Sequence, residues 1–248
     1  MTDSFSPRPV RLTDHPAADS SPVLSADGRW LLFVTDRDTN SEIYLMPAQP
    51  GAVATRLTAS VSPDYDPAWL PDGSNFVFVS ERDGNAEIYR MNTNGAGLAR
   101  LTQDAAAERQ PAASPDALRI AFASNRSGNF DIFVMDAGGT NVQVVAAHVA
   151  ADTSPAWSPD GQWIVFVSER DGNAELYLVR PDGGGLARVT NHAATDAHPV
   201  WLANSRDVAF ASDRHEGFEL YLVASTGGVP TRLTLSRGDN LQPSAAHR

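Results

Sequence analysis

Acidic residues stand three positions before a proline at five places in the chain: Asp19, Asp64, Glu108, Asp152 and Asp196. Asn240 holds the same position before Pro243. Carboxylates gathered at one mouth would form an electronegative funnel for a cationic ligand, a metal ion or a basic peptide. The residue immediately before each proline varies, as Ser21, Asp66, Gln110, Ser154, His198 and Gln242. Variation on a repeated frame is what a binding surface needs. Asp66, Arg109 and His198 are therefore the candidates for specificity, with Asp64, Glu108, Asp152 and Asp196 as the acids around them. The plainer alternative carries more weight: these acids cap turns or pair with nearby arginines.

A second set is a row of arginines, Arg37, Arg82, Arg126, Arg170 and Arg214, each followed five residues later by an acid: Glu42, Glu87, Asp131, Glu175 and Glu219. Across a short hairpin the two would face one another and form a structural ring of salt bridges, each worth ~0.2–1 kcal/mol where exposed. A ring of arginines gripping an anion is the alternative, and the one-to-one match with acids tells against it. His192, Asp196 and His198 fall close together, but their spacing fits no zinc pattern. Asp83-Gly84-Asn85 lacks the alternating oxygen ligands of a calcium loop. The other histidines, His15, His148, His215 and His247, form no cluster. No metal and no cofactor are expected.

The chain has 248 residues, no cysteine and a net charge of −11, and all 19 basic residues are arginine. Disulfides, thiolate chemistry, Schiff bases and a lysine-bearing phosphate loop are excluded. The negative balance tells against nucleic acid or an anionic membrane as partner. No Gly-x-Ser-x-Gly elbow occurs, and the Gly183-Gly184-Gly185 run sits in a turn rather than at a helix start.

The elements that must position these residues come from an internal repeat. Units of 44 or 45 residues begin at Pro22, Pro67, Pro111, Pro155 and Pro199, dividing the chain as 22–66, 67–110, 111–154, 155–198 and 199–242. Each unit reads as four short strands. A Pro-x-Trp stretch (Trp69, Trp157, Trp201) leads through Asp-Gly turns to an apolar run such as Phe76-Val77-Phe78-Val79. A polar hairpin then leads to a third strand such as Ile88-Tyr89-Arg90-Met91, and a Gly/Asn-rich loop leads to a fourth ending Arg-Leu-Thr at 56–58, 100–102 and 232–234. A second strand that is apolar at nearly every position must be covered on both faces. Phe33, Phe78, Phe122, Phe166 and Phe210 recur within it as packing residues. No segment has helical periodicity. Repeated four-stranded units of this length, covered on both faces, describe an all-β propeller of antiparallel blades.

The words Ser-Pro-Asp-Gly, Phe-x-Ser-x-Arg-Asp-Gly-Asn-x-Glu-Ile-Tyr and Leu-Thr, in that order, resemble the TolB-like propeller-repeat family from about Arg11 to about Pro243. The resemblance implies the blade fold and a cell-envelope, protein-binding role, and propellers of this kind typically have six blades. Related propellers also accompany serine peptidases and occur in polysaccharide lyases, so the family does not select one activity.

Only five hairpins of the second-to-third-strand type exist, which allows five complete blades. Residues 1–21 and 243–248 are left to close the ring. The expectation is one closed, five-bladed, monomeric domain in which Val10–Thr13 replaces or extends the outer strand of blade five as a clasp. The alternative is an incomplete, six-blade-derived arc that self-associates through open edges. Functionally, the favoured reading is a non-catalytic scaffold binding a protein or peptide at an acidic channel mouth. A small metal-assisted carbohydrate lyase or hydrolase using channel carboxylates with His198 is the alternative, and a scaffold without a ligand is the third. No apolar run is long enough for membrane insertion, and the absence of a leader pattern points to the cytoplasm. A mature or excised fragment would instead be periplasmic or secreted.

Overall fold

The computed structural model describes residues 10–235 and 241–245. Among them lie five four-stranded antiparallel sheets, each with its strands in sequence order, and no helix. Blade one comprises Asp19–Leu24, Trp30–Thr35, Glu42–Pro47 and Thr55–Arg56; blade two Asp64–Trp69, Asn75–Ser80, Glu87–Asn92 and Ala99–Arg100. Blade three comprises Glu108–Ala113, Arg119–Ser124, Asp131–Asp136 and Gln143–Ala146; blade four Asp152–Trp157, Ile164–Ser168, Glu175–Val179 and Ala187–Arg188. Blade five comprises Asp196–Trp201, Asp207–Ser212, Glu219–Ala224 and Thr231–Arg232. The expected five-bladed propeller is what forms.

The blades adhere through the two-sided second strands. Phe33, Phe78, Phe122, Phe166 and Phe210 are 0–1% exposed, each ring contributing roughly 1.5–3 kcal/mol of burial. In register across the hairpin each meets a third-strand aromatic ring, as in Phe166 and Tyr177 with centroids 6.0 Å apart. Successive hydrophobic clusters join blades one to two, two to three, three to four and four to five.

Charge pairing follows a different route from the expected Arg-to-Glu hairpin bridge. Each hairpin arginine reaches back eighteen residues to the acid opening its own blade's inner strand. The pairs are Arg37 with Asp19 at 3.1 Å, Arg82 with Asp64 and Arg126 with Glu108 at 2.8 Å, Arg170 with Asp152 at 2.9 Å and Arg214 with Asp196 at 2.7 Å. The guanidinium also donates from Nε to the hydroxyl ending the second strand, as Arg170 does to Ser168 at 2.7 Å. It lies over the aromatic pair, 4.7 Å from the Tyr177 ring centre. The third-strand acids pair instead with outer-strand arginines: Glu42 with Arg56, Glu87 with Arg100, Glu175 with Arg188 and Glu219 with Arg232. Asp131 has no arginine partner among the described residues, because blade three carries Val144 where the others carry arginine; it keeps the backbone N–H bond, from His148, that Glu42, Glu87 and Glu175 also accept, from Ser60, Asp104 and His192. Register sets this pairing. The acid and the arginine's supporting hydroxyl are directly paired residues, as in Asp152 and Ser168, so the arginine turns back to the inner strand.

Ring closure also departs from expectation. Val10–Thr13 forms no strand, and the outer strand of blade five pairs only with its third strand among the described residues. The fifth hydrophobic cluster holds Leu31, Phe33, Tyr44 and Met46 of blade one with Leu12 packed on them, and no described residue of blade five. Gln242 and Ser244 instead bond blade one: Ser21 N–H donates to Gln242 Oε1 at 2.8 Å and Leu24 N–H to Ser244 Oγ at 2.9 Å. The Asn240 position lies outside the described residues.

Replacing Arg170 by Ala strips the cation from a fully buried Asp152 and should cost about 3–5 kcal/mol in urea unfolding. Arg170→Met with Asp152→Asn should recover much of that loss. A loss below 1 kcal/mol for the single variant would show that the pair behaves as a surface bridge.

Candidate functional site: the channel mouth

The inner strand of every blade carries the same irregularity. In blade two, Tyr65 pairs with Val79 and Ala68 with Val77, so Asp66 and Pro67 together oppose Phe78. This two-against-one arrangement is a β-bulge, suited to proline because proline has no N–H for the ladder. The residue before the proline turns into the left-handed region: Ser21 at φ 47°, Asp66 at 51°, Gln110 at 51°, Ser154 at 53°, His198 at 51° and Gln242 at 55°. None is glycine, and pre-proline residues ordinarily stay extended, so each conformation costs on the order of 1 kcal/mol. Strain of this kind, repeated at every blade, aims six side chains into one place.

Those six residues and the prolines that follow them line a cavity of about 180 Å³ at the channel mouth. Three of them bond to the next in the ring. Gln110 N–H donates to Asp66 Oδ2 at 3.2 Å, Ser154 N–H to Gln110 Oε1 at 2.8 Å and Ser21 N–H to Gln242 Oε1. Prolines shared with a second cavity form a collar between the two. The second cavity, of about 490 Å³, is lined mainly by Val23, Ala68, Ala112, Trp69, Trp157 and Trp201. The tryptophans are held by their indole N–H groups. Trp69 donates to Val23 O at 2.9 Å, Trp157 to Ala112 O at 3.0 Å and Trp201 to Ala156 O at 3.1 Å, each across a blade boundary.

The anticipated acids therefore divide. Asp64, Glu108, Asp152 and Asp196 are fully buried and bound to arginine inside their blades, away from the cavity lining. They do not make an electronegative funnel. Burial pushes the carboxyls of Asp64, Glu108 and Asp152 upward, and the serine and arginine partners offset part of that. Asp66 does line the mouth, as its one carboxylate among the described residues. Burial raises its pKa, against the opposing pull of the Gln110 N–H and the Arg109 guanidinium. His198 also lines the mouth, and burial lowers its pKa, so it is neutral at pH 7. Arg109 is exposed and rests over the Phe130 ring at 4.9 Å. His192 turns away, its Nδ1 accepting the Ala194 N–H at 3.0 Å, and Asp196 is held by Arg214. The His192, Asp196 and His198 triplet is thus not brought together, and no group of three potential metal ligands occurs among the described residues.

All six pre-proline residues stand out in the sequence as the varying position of the repeat, but only Asp66 and His198 are singled out from them there, together with Arg109, which lies off the lining. The signal was present: six Xaa-Pro pairs at one interval, with the pre-proline residue polar every time.

Two segments of the chain, residues 8–116 and 105–190, match the TolB beta propeller domain. This chain belongs to that family. A TolB-designated protein from Agrobacterium tumefaciens superposes with a TM-score of 0.78 at 24% identity, covering 89% of this chain and 82% of that one. TolB from Acinetobacter baumannii gives 0.69 at 18% identity, over 87% of this chain and 52% of the other. Oligogalacturonate lyase from Vibrio parahaemolyticus gives 0.66 at 16% identity, over 90% and 68%. At these identities the likenesses establish the fold. No curated protein matches the chain. Among the described residues there is no helix long and apolar enough to cross a membrane.

Burial disfavours the charged form of Asp66, so Asp66→Asn should stabilise this TolB-family propeller at pH 7, raising Tm by on the order of 2–4 °C. The folded pKa lies above the unfolded one, so the charged form is the costly form. The advantage of the variant should be full above the folded pKa and vanish below the unfolded value of about 3.9. Thermal melts from pH 3 to pH 8 measure it.

Proposed function

We propose that the chain is a non-catalytic TolB-family scaffold that binds a protein segment at the channel mouth, with a basic group of the ligand set against Asp66. One observation carries this reading: six strained, non-glycine residues converge on a single polar cavity whose lining includes one desolvated carboxylate. Strain of that kind is retained where geometry serves a site. A carboxylate that is partly desolvated and held by one backbone N–H and one exposed arginine has capacity for a further donor.

The hydrogen-bonding partners around it suit a peptide. Ser21, Ser154, Gln110 and Gln242 offer hydroxyls and amides, which match backbone N–H and C=O groups. Neutral His198 adds a donor and an acceptor without repelling a cation. The apolar cavity beyond the proline collar accommodates a side chain that follows the basic group inward. The TolB relatives support a protein ligand, and the lyase neighbour is the reason to test for metal-assisted chemistry in the same experiments.

A panel of short basic peptides, followed by fluorescence anisotropy, tests the reading. Binding should weaken at least tenfold in Asp66→Asn. It should also fade as acid protonates Asp66 and charges His198, both of which remove attraction for a cation. Binding that is unchanged in Asp66→Asn, or absent across the panel, would remove the proposal. A melting shift induced by manganese or calcium and abolished by His198→Ala would move the assignment to the enzyme reading.

A further inference from the structure

The channel mouth holds one carboxylate, and a cation stands at its edge. Arg109 is exposed, lies off the lining of the mouth cavity, and makes no hydrogen bond or ion pair among the described residues. Its place is nevertheless fixed. The guanidinium rests over the Phe130 ring at 4.9 Å, and the N–H of the next residue in the chain, Gln110, donates to Asp66 Oδ2 at 3.2 Å. Burial raises the pKa of Asp66 and of Tyr65 in blade two, and in both the Arg109 charge pulls the other way. The cation of blade three thus stands near the carboxylate of blade two without forming an ion pair with it.

A latch arginine of the same blade shows which donors are unused. Arg126 lies over the Phe133 ring at 5.0 Å, yet it commits Nη2 to Glu108 at 2.8 Å and Nε to Ser124 at 2.9 Å. Arg109 has the same kind of aromatic platform and no acceptor. Stacking occupies the face of a guanidinium and leaves its in-plane N–H donors for a partner at the edge.

Nothing in the repeat requires this pair. Ser20, Tyr65, Thr153 and Ala197 stand where blade three has Arg109, and Ser41, Ala86 and Ala174 stand where it has Phe130. Blade five has Phe218 at the ring's position but Ala197 at the arginine's, so blade three alone combines the two. The mouth cavity, about 180 Å³, is well under the roughly 300–1,000 Å³ of a pocket that engulfs a whole small molecule. One side chain enters it, and the groups adjoining that side chain stay at the rim.

We propose that Arg109 is the carboxylate clamp of this mouth, gripping an acidic group of the ligand that adjoins the basic side chain set against Asp66. The inference rests on the reading of the mouth as a site for a basic peptide group. Two sources offer the same pair of oxygens to the guanidinium fork: the α-carboxylate of a C-terminal basic residue, and the side chain of an acidic residue next to it.

Four amino-terminally labelled peptides, read by fluorescence anisotropy, test it. One ends in lysine with a free carboxylate and one is its amide. The other two are amides in which glutamate or glutamine precedes the lysine. At least one carboxylate-bearing peptide should bind about three- to tenfold more tightly than its neutral counterpart, and whichever does so names the source. Arg109→Gln should remove that gain and leave the neutral peptides' affinity unchanged. Arg109 is exposed, so an unaltered Tm is expected for the variant. Asp66→Asn should weaken all four. Neutral peptides that bind through Asp66, with no gain from either carboxylate or with a gain that survives Arg109→Gln, overturn the clamp and leave the mouth reading standing. Binding by none of the four, or binding indifferent to Asp66→Asn, overturns both.

Discussion

Each blade buries a carboxylate at the start of its inner strand, and a buried anion must be paired or neutralised. The hairpin arginine meets that demand while also gripping a hydroxyl and covering two aromatic rings. One side chain thereby ties the inner strand, the end of the second strand and the third strand into one unit. Because its planar fork presents several donors in fixed directions, arginine does this where lysine would not. A chain whose basic residues are all arginine is consistent with that repeated use. The acid is in effect a component of the blade, and so it is withdrawn from the channel it was expected to line.

With the blades locked in this way, the inner strands can tolerate irregularity. Bulges at five Xaa-Pro pairs, with Gln242 repeating the same backbone turn, strain six residues; an arginine latch anchors the strand before each of the five bulges, and in blades two, four and five an interblade indole bond anchors it after. The result is a channel divided by a proline collar. Its polar mouth varies from blade to blade at the residue before the proline, and its apolar end is lined by tryptophan in three blades and by Leu24 and Ala113 in the other two. One varying residue per repeat at the mouth lets a symmetric frame carry an asymmetric site. Asp66 and His198 are two such departures.

Ring closure obeys the same economy of contacts. Blade one's first face takes Leu12 where a preceding blade's outer-strand leucine would pack. The channel ring is completed by Gln242 rather than by a blade. Closure at the hub and at one rim position is thus separable from closure through the sheets, which explains how the ends of the chain contribute without forming strands of their own in the described residues.

Much of this was legible in the residues alone. Five copies of a two-sided second strand with phenylalanine at one position require sheets covered on both faces, and a turn after each strand requires antiparallel order. Blade number and core followed from that periodicity, as did the prominence of Asp66 and His198. Pairing partners did not follow. Arg82 has Glu87 five residues away and Asp64 eighteen away, and linear spacing favours the nearer acid. Only the register, which sets Asp64 against Ser80 and Glu87 across from the outer strand, selects the farther one. The same holds for the mouth. The sequence determined which residues recur, because recurrence is a property of the chain. The tertiary structure decided which recurring residues are buried inside a blade and which face the channel, because that depends on a backbone bulge that turns one residue inward and leaves its neighbour two positions earlier in the core.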